Sequence, residues 1–89
     1  MGYIRLESVK VNANKYRGYL VFWAPSLWDT WNVLCEWGRI GEQWPRGVRL
    51  RKCADLDEAL RLAAEVIELR RRHGYVVKCV PKNHNVAKK

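Results

Sequence analysis

The chain has 89 residues, of which 48% are hydrophobic and 29% are charged, a length and composition typical of one small globular domain. Lys and Arg number 17 against 9 acidic residues, and the net charge of +8 favours an anionic partner, most commonly nucleic acid. The length excludes a deep cofactor cavity, and no apolar run approaches the ~20 residues that a membrane span needs.

Two strands are predicted in the first part of the chain. The first covers residues 3–11, and the second covers 16–23, where Tyr, Val, Phe and Trp predominate. The intervening Asn12-Ala13-Asn14 is typical of a turn, and Ala24-Pro25-Ser26 ends the second strand. These connections are short enough to favour antiparallel pairing.

A third strand is predicted from Thr30 to Trp37 and a fourth from Val48 to Cys53, with a glycine-containing loop between them. Alternation along the third strand puts four residues on one face: Trp31, Val33, Cys35 and Trp37. Along the fourth strand, alternation is interpreted as Val48 and Leu50 facing inward and Arg49 and Arg51 facing outward.

One helix is predicted over about residues 55–73. Asp55 begins it, and Glu58 follows three residues later, as in a capping box. Apolar residues recur at helical spacing, Arg70-Arg71-Arg72 occupies the last turn, and Gly74 fits the left-handed position just beyond it.

Residues 75–80 predict a short final strand, so the order of elements is four strands, one helix and one strand. This order favours an α+β fold, an antiparallel β-sheet of about four to five strands with the helix packed on one face. We expect a single domain over residues 1–80 and a basic, flexible C-terminal tail over residues 81–89.

The cysteines point to a reducing compartment. Cys35, Cys53 and Cys79 lie far apart without a CxxC pair, which argues against a disulfide framework and against a zinc site. The N-terminal residues lack the basic-then-apolar order of a signal peptide. We therefore expect a cytoplasmic monomer that holds no metal and no cofactor.

The segment from Trp31 to Gly41, WNVLCEWGRIG, resembles the WGR domain family, whose name comes from the tripeptide found here as Trp37-Gly38-Arg39. Three further segments extend the resemblance to about residues 3–77: Lys15-Tyr16-Arg17, Asp57-Glu58-Ala59 and His73-Gly74-Tyr75. The loop at residues 42–47 departs from the commoner short, glycine-containing loop of the family.

The resemblance implies an antiparallel sheet with one helix, and a role at DNA. WGR domains occur in DNA-break-responsive poly(ADP-ribose) polymerases and in small bacterial proteins. In the polymerases the signature tryptophan packs on the sugar-phosphate end of a broken strand, and the signature arginine reaches neighbouring domains. The matching positions here are Trp37 and Arg39, so the resemblance implies DNA ends or nicks as ligands.

Basic residues predominate from the signature to the end of the fourth strand. Residues 39–52 contain five of them, and Glu42 is the one acidic residue in this stretch. Arg49 and Arg51 would lie ~7 Å apart on one side of a strand, near the spacing of successive phosphates. The predicted nucleic-acid site therefore comprises Trp37, Gly38, Arg39, Arg46, Arg49, Arg51 and Lys52.

Each of these features also has a structural interpretation. Trp37 can be a core residue, the arginine row can be a solvated sheet face, and Arg70-Arg71-Arg72 can simply complement the helix C-terminus. No nucleophile–base pair and no phosphate-binding loop is present, so we expect no enzyme. The favoured function is a non-catalytic module that binds nucleic acid, DNA above RNA. The alternative is a protein-interaction module that docks an acidic partner or regulates a separately encoded enzyme.

Overall fold

The computed structural model describes residues 1–79. It contains a five-stranded antiparallel sheet with one α-helix packed on one face. The predicted α+β fold is confirmed. The elements are β1 (Gly2–Lys10), β2 (Lys15–Pro25), β3 (Trp31–Arg39), β4 (Gly47–Cys53), α1 (Leu56–Arg72) and β5 (Val76–Cys79). The predicted tail over residues 81–89 lies outside the described residues.

The strands lie in the order β4-β3-β2-β1-β5. The first four strands form a meander, in which each strand pairs with the next one along the chain. After β4 the chain crosses the sheet as α1 and returns as β5, which pairs with β1. One face of the sheet is therefore the helix side, and the other, which α1 does not cover, is the open side.

Alternation along the strands builds the core on the helix side. Leu6, Val21 and Val33, from three adjacent strands, have no exposed surface. Ala59 and Ala63 of α1 are also buried, and their small side chains let the helix approach the sheet closely. The core is thus a single layer between helix and sheet, as expected for a chain of this length.

The predicted orientation of β4 is wrong. Arg49 pairs with Cys35 and Arg51 pairs with Val33, so both arginines point to the helix side. Val48 and Leu50 point to the open side and are 54% and 56% exposed. Alternation separates two faces but does not say which is buried, and the pairing with β3 decides it. Along this edge strand the buried residue is Cys53.

Both ends of α1 follow the predicted capping chemistry. The Asp55 side chain accepts a hydrogen bond from the Glu58 N–H at 2.9 Å, and the Glu58 carboxylate accepts one from the Ala54 N–H at 2.6 Å. At the other end Gly74 has φ +92°, and Tyr75 N–H donates to the Arg70 carbonyl at 3.0 Å. This Schellman closure turns the chain back towards β5 and brings the end of α1 over the sheet.

Candidate nucleic-acid interface

A cleft of about 650 Å³ opens on the helix side of the sheet, beside the last turn of α1. Six of its lining residues are basic, and none of the described residues that line it is acidic. We call this surface the basic cleft; its basic residues are Lys15, Arg17, Arg39, Arg46, Arg49 and Arg70.

Four aromatic residues also line the cleft: Tyr16, Tyr19, Trp37 and Tyr75. Tyr19 and Trp37 are paired across β2 and β3, with ring centroids 5.9 Å apart and planes inclined by 13°. Tyr75 meets Tyr19 edge-on at 6.0 Å. Tyr19 is buried, and this desolvation raises its pKa to about 12. A neutral phenol therefore supports the half-buried Trp37 ring beside the cleft.

Trp37 is both packed and accessible. Its ring packs against the core, yet the residue remains half-buried and lines the basic cleft. Its partner on β4 is Gly47, where the Cβ of any other residue would overlap the Trp37 ring. Glycine at this position therefore lets the indole lie over the neighbouring strand.

Arg39 lines the cleft, but most of its contacts lie within the chain. Its guanidinium donates to the Asn14 carbonyl at 3.2 Å and to the Asn14 side-chain oxygen at 3.1 Å. Its Nε lies 3.2 Å from a Glu42 carboxylate oxygen, and its guanidinium lies 5.2 Å from the Tyr16 ring centroid. Arg39 thus links the β1–β2 turn to the loop after β3, which leaves it less free for a ligand than its neighbours.

Gly38 serves the opposite face of the sheet. A Cβ at Gly38 or Gly18 would lie 3.1 Å from the Trp44 ring. That ring covers the open side, where its Nε1 donates to the Glu36 carboxylate at 3.0 Å and the Arg5 guanidinium lies 5.6 Å from its centroid. Trp44 therefore anchors the loop after β3 to the sheet. In the same loop, the Arg46 N–H donates to the Trp37 carbonyl at 2.8 Å, which positions Arg46 where it lines the cleft.

Two arginines outside the predicted site also line the cleft. Arg17 lies two residues before Tyr19 on the same side of β2 and pairs with Arg39. Arg70 lies with its guanidinium 4.9 Å from the Tyr19 ring centroid, and its enclosed Nε has no hydrogen-bond partner among the described residues.

The sequence contained a signal for both of these arginines. Alternation from Tyr19 places Arg17 on the same face. Ala59, Ala63 and Val66 define the buried stripe of α1, and Arg70 continues it one turn later. Arg70 stayed outside the predicted site because a cation in the last turn of a helix is also explained by the helix C-terminus.

The predicted site residues separate into two groups. Trp37, Gly38, Arg39, Arg46 and Arg49 line the basic cleft. Arg51 and Lys52 do not. Arg51 lies further along β4 towards α1, and Lys52 points to the open side, where it pairs with Asn32.

The remaining chemistry is sparse. Cys35 and Cys53 are free, buried thiols, and burial raises the pKa of each. Within residues 1–79 no group of three His, Cys, Asp or Glu residues is placed to hold a metal ion. Over the same residues, no helix has the length and apolar character to cross a membrane.

A protein-family model described as WGR domain matches residues 3–82, nearly the whole chain. No curated protein and no solved structure matches the chain significantly.

Proposed function

Because the chain belongs to the WGR domain family, as its resemblance predicted, we propose that it is a non-catalytic module that binds DNA through the basic cleft. Family membership supports nucleic-acid binding in general. The observation that carries this particular surface is the set of six basic side chains around an aromatic pair, with no acidic residue among the described lining residues.

The charges of the cleft are largely available to a ligand. Among its basic residues, only Arg39 forms an ion pair within residues 1–79. Arg17 and Arg39 lie on one side of the Tyr19–Trp37 row, and Arg49 lies on the other, two residues along β4 from Gly47. Two residues of a strand span ~7 Å, so phosphates can be bound on either side of a sugar or base that rests on the rings.

The position of Trp37 favours the end of a strand. The half-buried Trp37 lines the cleft at the end of β3, together with Arg70 and Tyr75 from the end of α1. A ring in this position can pack on a terminal sugar only where no further nucleotide blocks it. We therefore propose DNA ends or nicks as the preferred ligands.

The buried, free thiols of Cys35 and Cys53 further support a reducing compartment, the cytoplasm.

The test compares a short blunt duplex with a covalently closed dumbbell of the same sequence, which has no ends. Fluorescence anisotropy with the purified domain should show binding to both and tighter binding to the blunt duplex. Neutralising three to four phosphates should give a log–log salt slope of about −3 to −3.5. Undetectable binding at micromolar protein and about 50 mM salt contradicts the proposal and favours the alternative, an acidic protein partner.

A further inference from the structure

The turn between β2 and β3 displays two large apolar side chains to solvent. Leu27 is 91% exposed and Trp28 is 81% exposed. Neither side chain packs against the core, whereas the strand tryptophans Trp23 and Trp31 do. This Leu27–Trp28 tip lies at the end of the sheet away from the basic cleft, because β3 starts at the turn and ends at Arg39. Trp37, which lines the cleft, lies six residues along β3 from Trp31, so about 20 Å of strand separates its ring from the turn.

Hydrogen bonds hold the tip in one shape. The Ser26 N–H donates to the Thr30 carbonyl at 2.8 Å, and the two hydroxyls of these residues lie 2.5 Å apart. The Trp28 N–H donates to the Ser26 hydroxyl at 3.2 Å. Asp29 has φ +61°, the left-handed conformation that reverses the chain. The turn is therefore closed at its base, and its two apolar side chains project from a defined platform, so little conformational entropy is lost when they are bound.

Charge distinguishes the tip from the rest of the chain. The chain carries 17 Lys and Arg residues, yet none lies between Ala24 and Thr30, and the one charged side chain there is the Asp29 carboxylate. Within the turn itself, a nucleic-acid phosphate or an anionic lipid headgroup would meet a negative charge and no cation, although Lys52 of β4 pairs with Asn32 just beyond the turn. A convex apolar tip with one acidic flank is complementary to a concave apolar pocket with a basic group at its rim.

We infer that the Leu27–Trp28 tip docks into an apolar pocket of a separate protein, with Trp28 as the anchor and Asp29 paired with a cation at the pocket rim. Tryptophan is enriched among the residues that dominate protein interfaces, and an exposed tryptophan on a closed turn suits this role. The separation of the tip from the basic cleft allows both to be occupied at once. The chain would then connect a nucleic acid to a second protein. The inference concerns a different surface and holds whether or not the cleft binds DNA.

The experiment begins in the native host, with p-benzoylphenylalanine incorporated at position 28 and, as a control, at position 11. Val11 is 70% exposed and lies in the β1–β2 turn, at the opposite end of the sheet. Irradiation should yield one protein cross-linked from position 28 and not from position 11. That protein is then purified, and its affinity for the intact chain is measured by calorimetry.

Trp28→Ala should weaken this binding by at least ~30-fold without lowering the melting temperature, because the side chain is largely exposed and is not packed against the core. Asp29→Asn, which keeps the left-handed conformation, should weaken it a few-fold and reduce its salt dependence. Val11→Ala and Arg49→Ala should leave it unchanged.

Several results would overturn the inference. One is the absence of a cross-link specific to position 28, and another is a partner that binds Trp28→Ala as tightly as the natural chain. Binding of phosphatidylglycerol vesicles or oligothymidylate that is lost in Trp28→Ala assigns the tip to lipid or to single strands instead. Dissociation of a dimer by the same variant assigns it to self-association.

Discussion

The basic cleft can be tested by removing equal charge inside it and beside it. Arg46→Ala with Arg49→Ala removes two cations that line the cleft, while Arg51→Ala with Lys52→Ala removes two cations that do not. All four side chains are exposed and lie close together in sequence. Both double variants lower the net charge equally, so long-range attraction of DNA falls by a similar amount. A difference between them therefore reports direct contact with phosphate.

The expected magnitude follows from counterion release. Each phosphate contact contributes about 0.9 to the log–log salt slope, so losing two contacts should flatten the slope by ~1.8 units. At about 0.1 M salt this corresponds to a ~60-fold loss of affinity for any DNA sequence. The control pair should flatten the slope by less than about half a unit, since exposed charges outside the contact are screened within ~10 Å.

The assay is fluorescence anisotropy with a blunt duplex at several salt concentrations between about 50 and 200 mM. Melting temperatures of both double variants should match that of the natural chain, because none of these side chains is buried. Equal losses in the two double variants would refute a cleft-specific contact and leave only a diffuse positive field. An unchanged slope in the cleft variant would show that Arg46 and Arg49 touch no phosphate.

Three further predictions concern aromatic residues and thiols. Trp37→Ala should destabilise the domain by less than the ~3–5 kcal/mol of a fully buried tryptophan, since it is half-buried; melting temperature and the blunt-to-dumbbell affinity ratio, which should fall to one, are measured on the same variant. Burial raises the pKa of Tyr19 from 10.0 to about 12, so the folded state favours the neutral phenol. The contribution of the neutral Tyr19 to the free energy of unfolding is therefore fully present below pH 10.0 and is lost as the pH rises towards about 12. Urea titrations over this range should show a smaller loss of stability in Tyr19→Phe. The thiols of Cys35 and Cys53 should resist a thiol reagent in the native domain, and all 3 cysteines should react after unfolding without reductant; a protected disulfide or bound zinc contradicts this.

The fold was largely predictable because its strongest signals are local. Capping at Asp55, the left-handed position at Gly74 and the alternation along β3 each depend on residues within a few positions of one another. The orientation of β4 is not local. Its pairing with β3 puts Arg49 on the helix side, and no pattern within the strand distinguishes that outcome from the reverse.

The candidate site was predictable only in part, because its composition also depends on contacts between residues that are far apart in the sequence. The basic cluster after the signature is evident in the sequence, but which of its residues line the cleft depends on which elements meet in space. Arg17 and Arg70 reach the cleft from β2 and from the end of α1, far from the signature in sequence. Lys52 belongs to the same sequence cluster as Arg49, yet alternation sends it to the other face.

The three signature residues, Trp37-Gly38-Arg39, lie at the end of β3 and contact both faces of the sheet. They therefore contribute to the fold and to the candidate site. Trp37 turns to the helix side and provides the aromatic surface of the cleft. Gly38 leaves space on the open side for Trp44, which fastens the following loop and so positions Arg46. Arg39 links that loop to the turn at Asn14. Of the three, Trp37 is the one whose exposed surface lies in the proposed binding cleft, while its two neighbours shape the loop and turn that border the cleft.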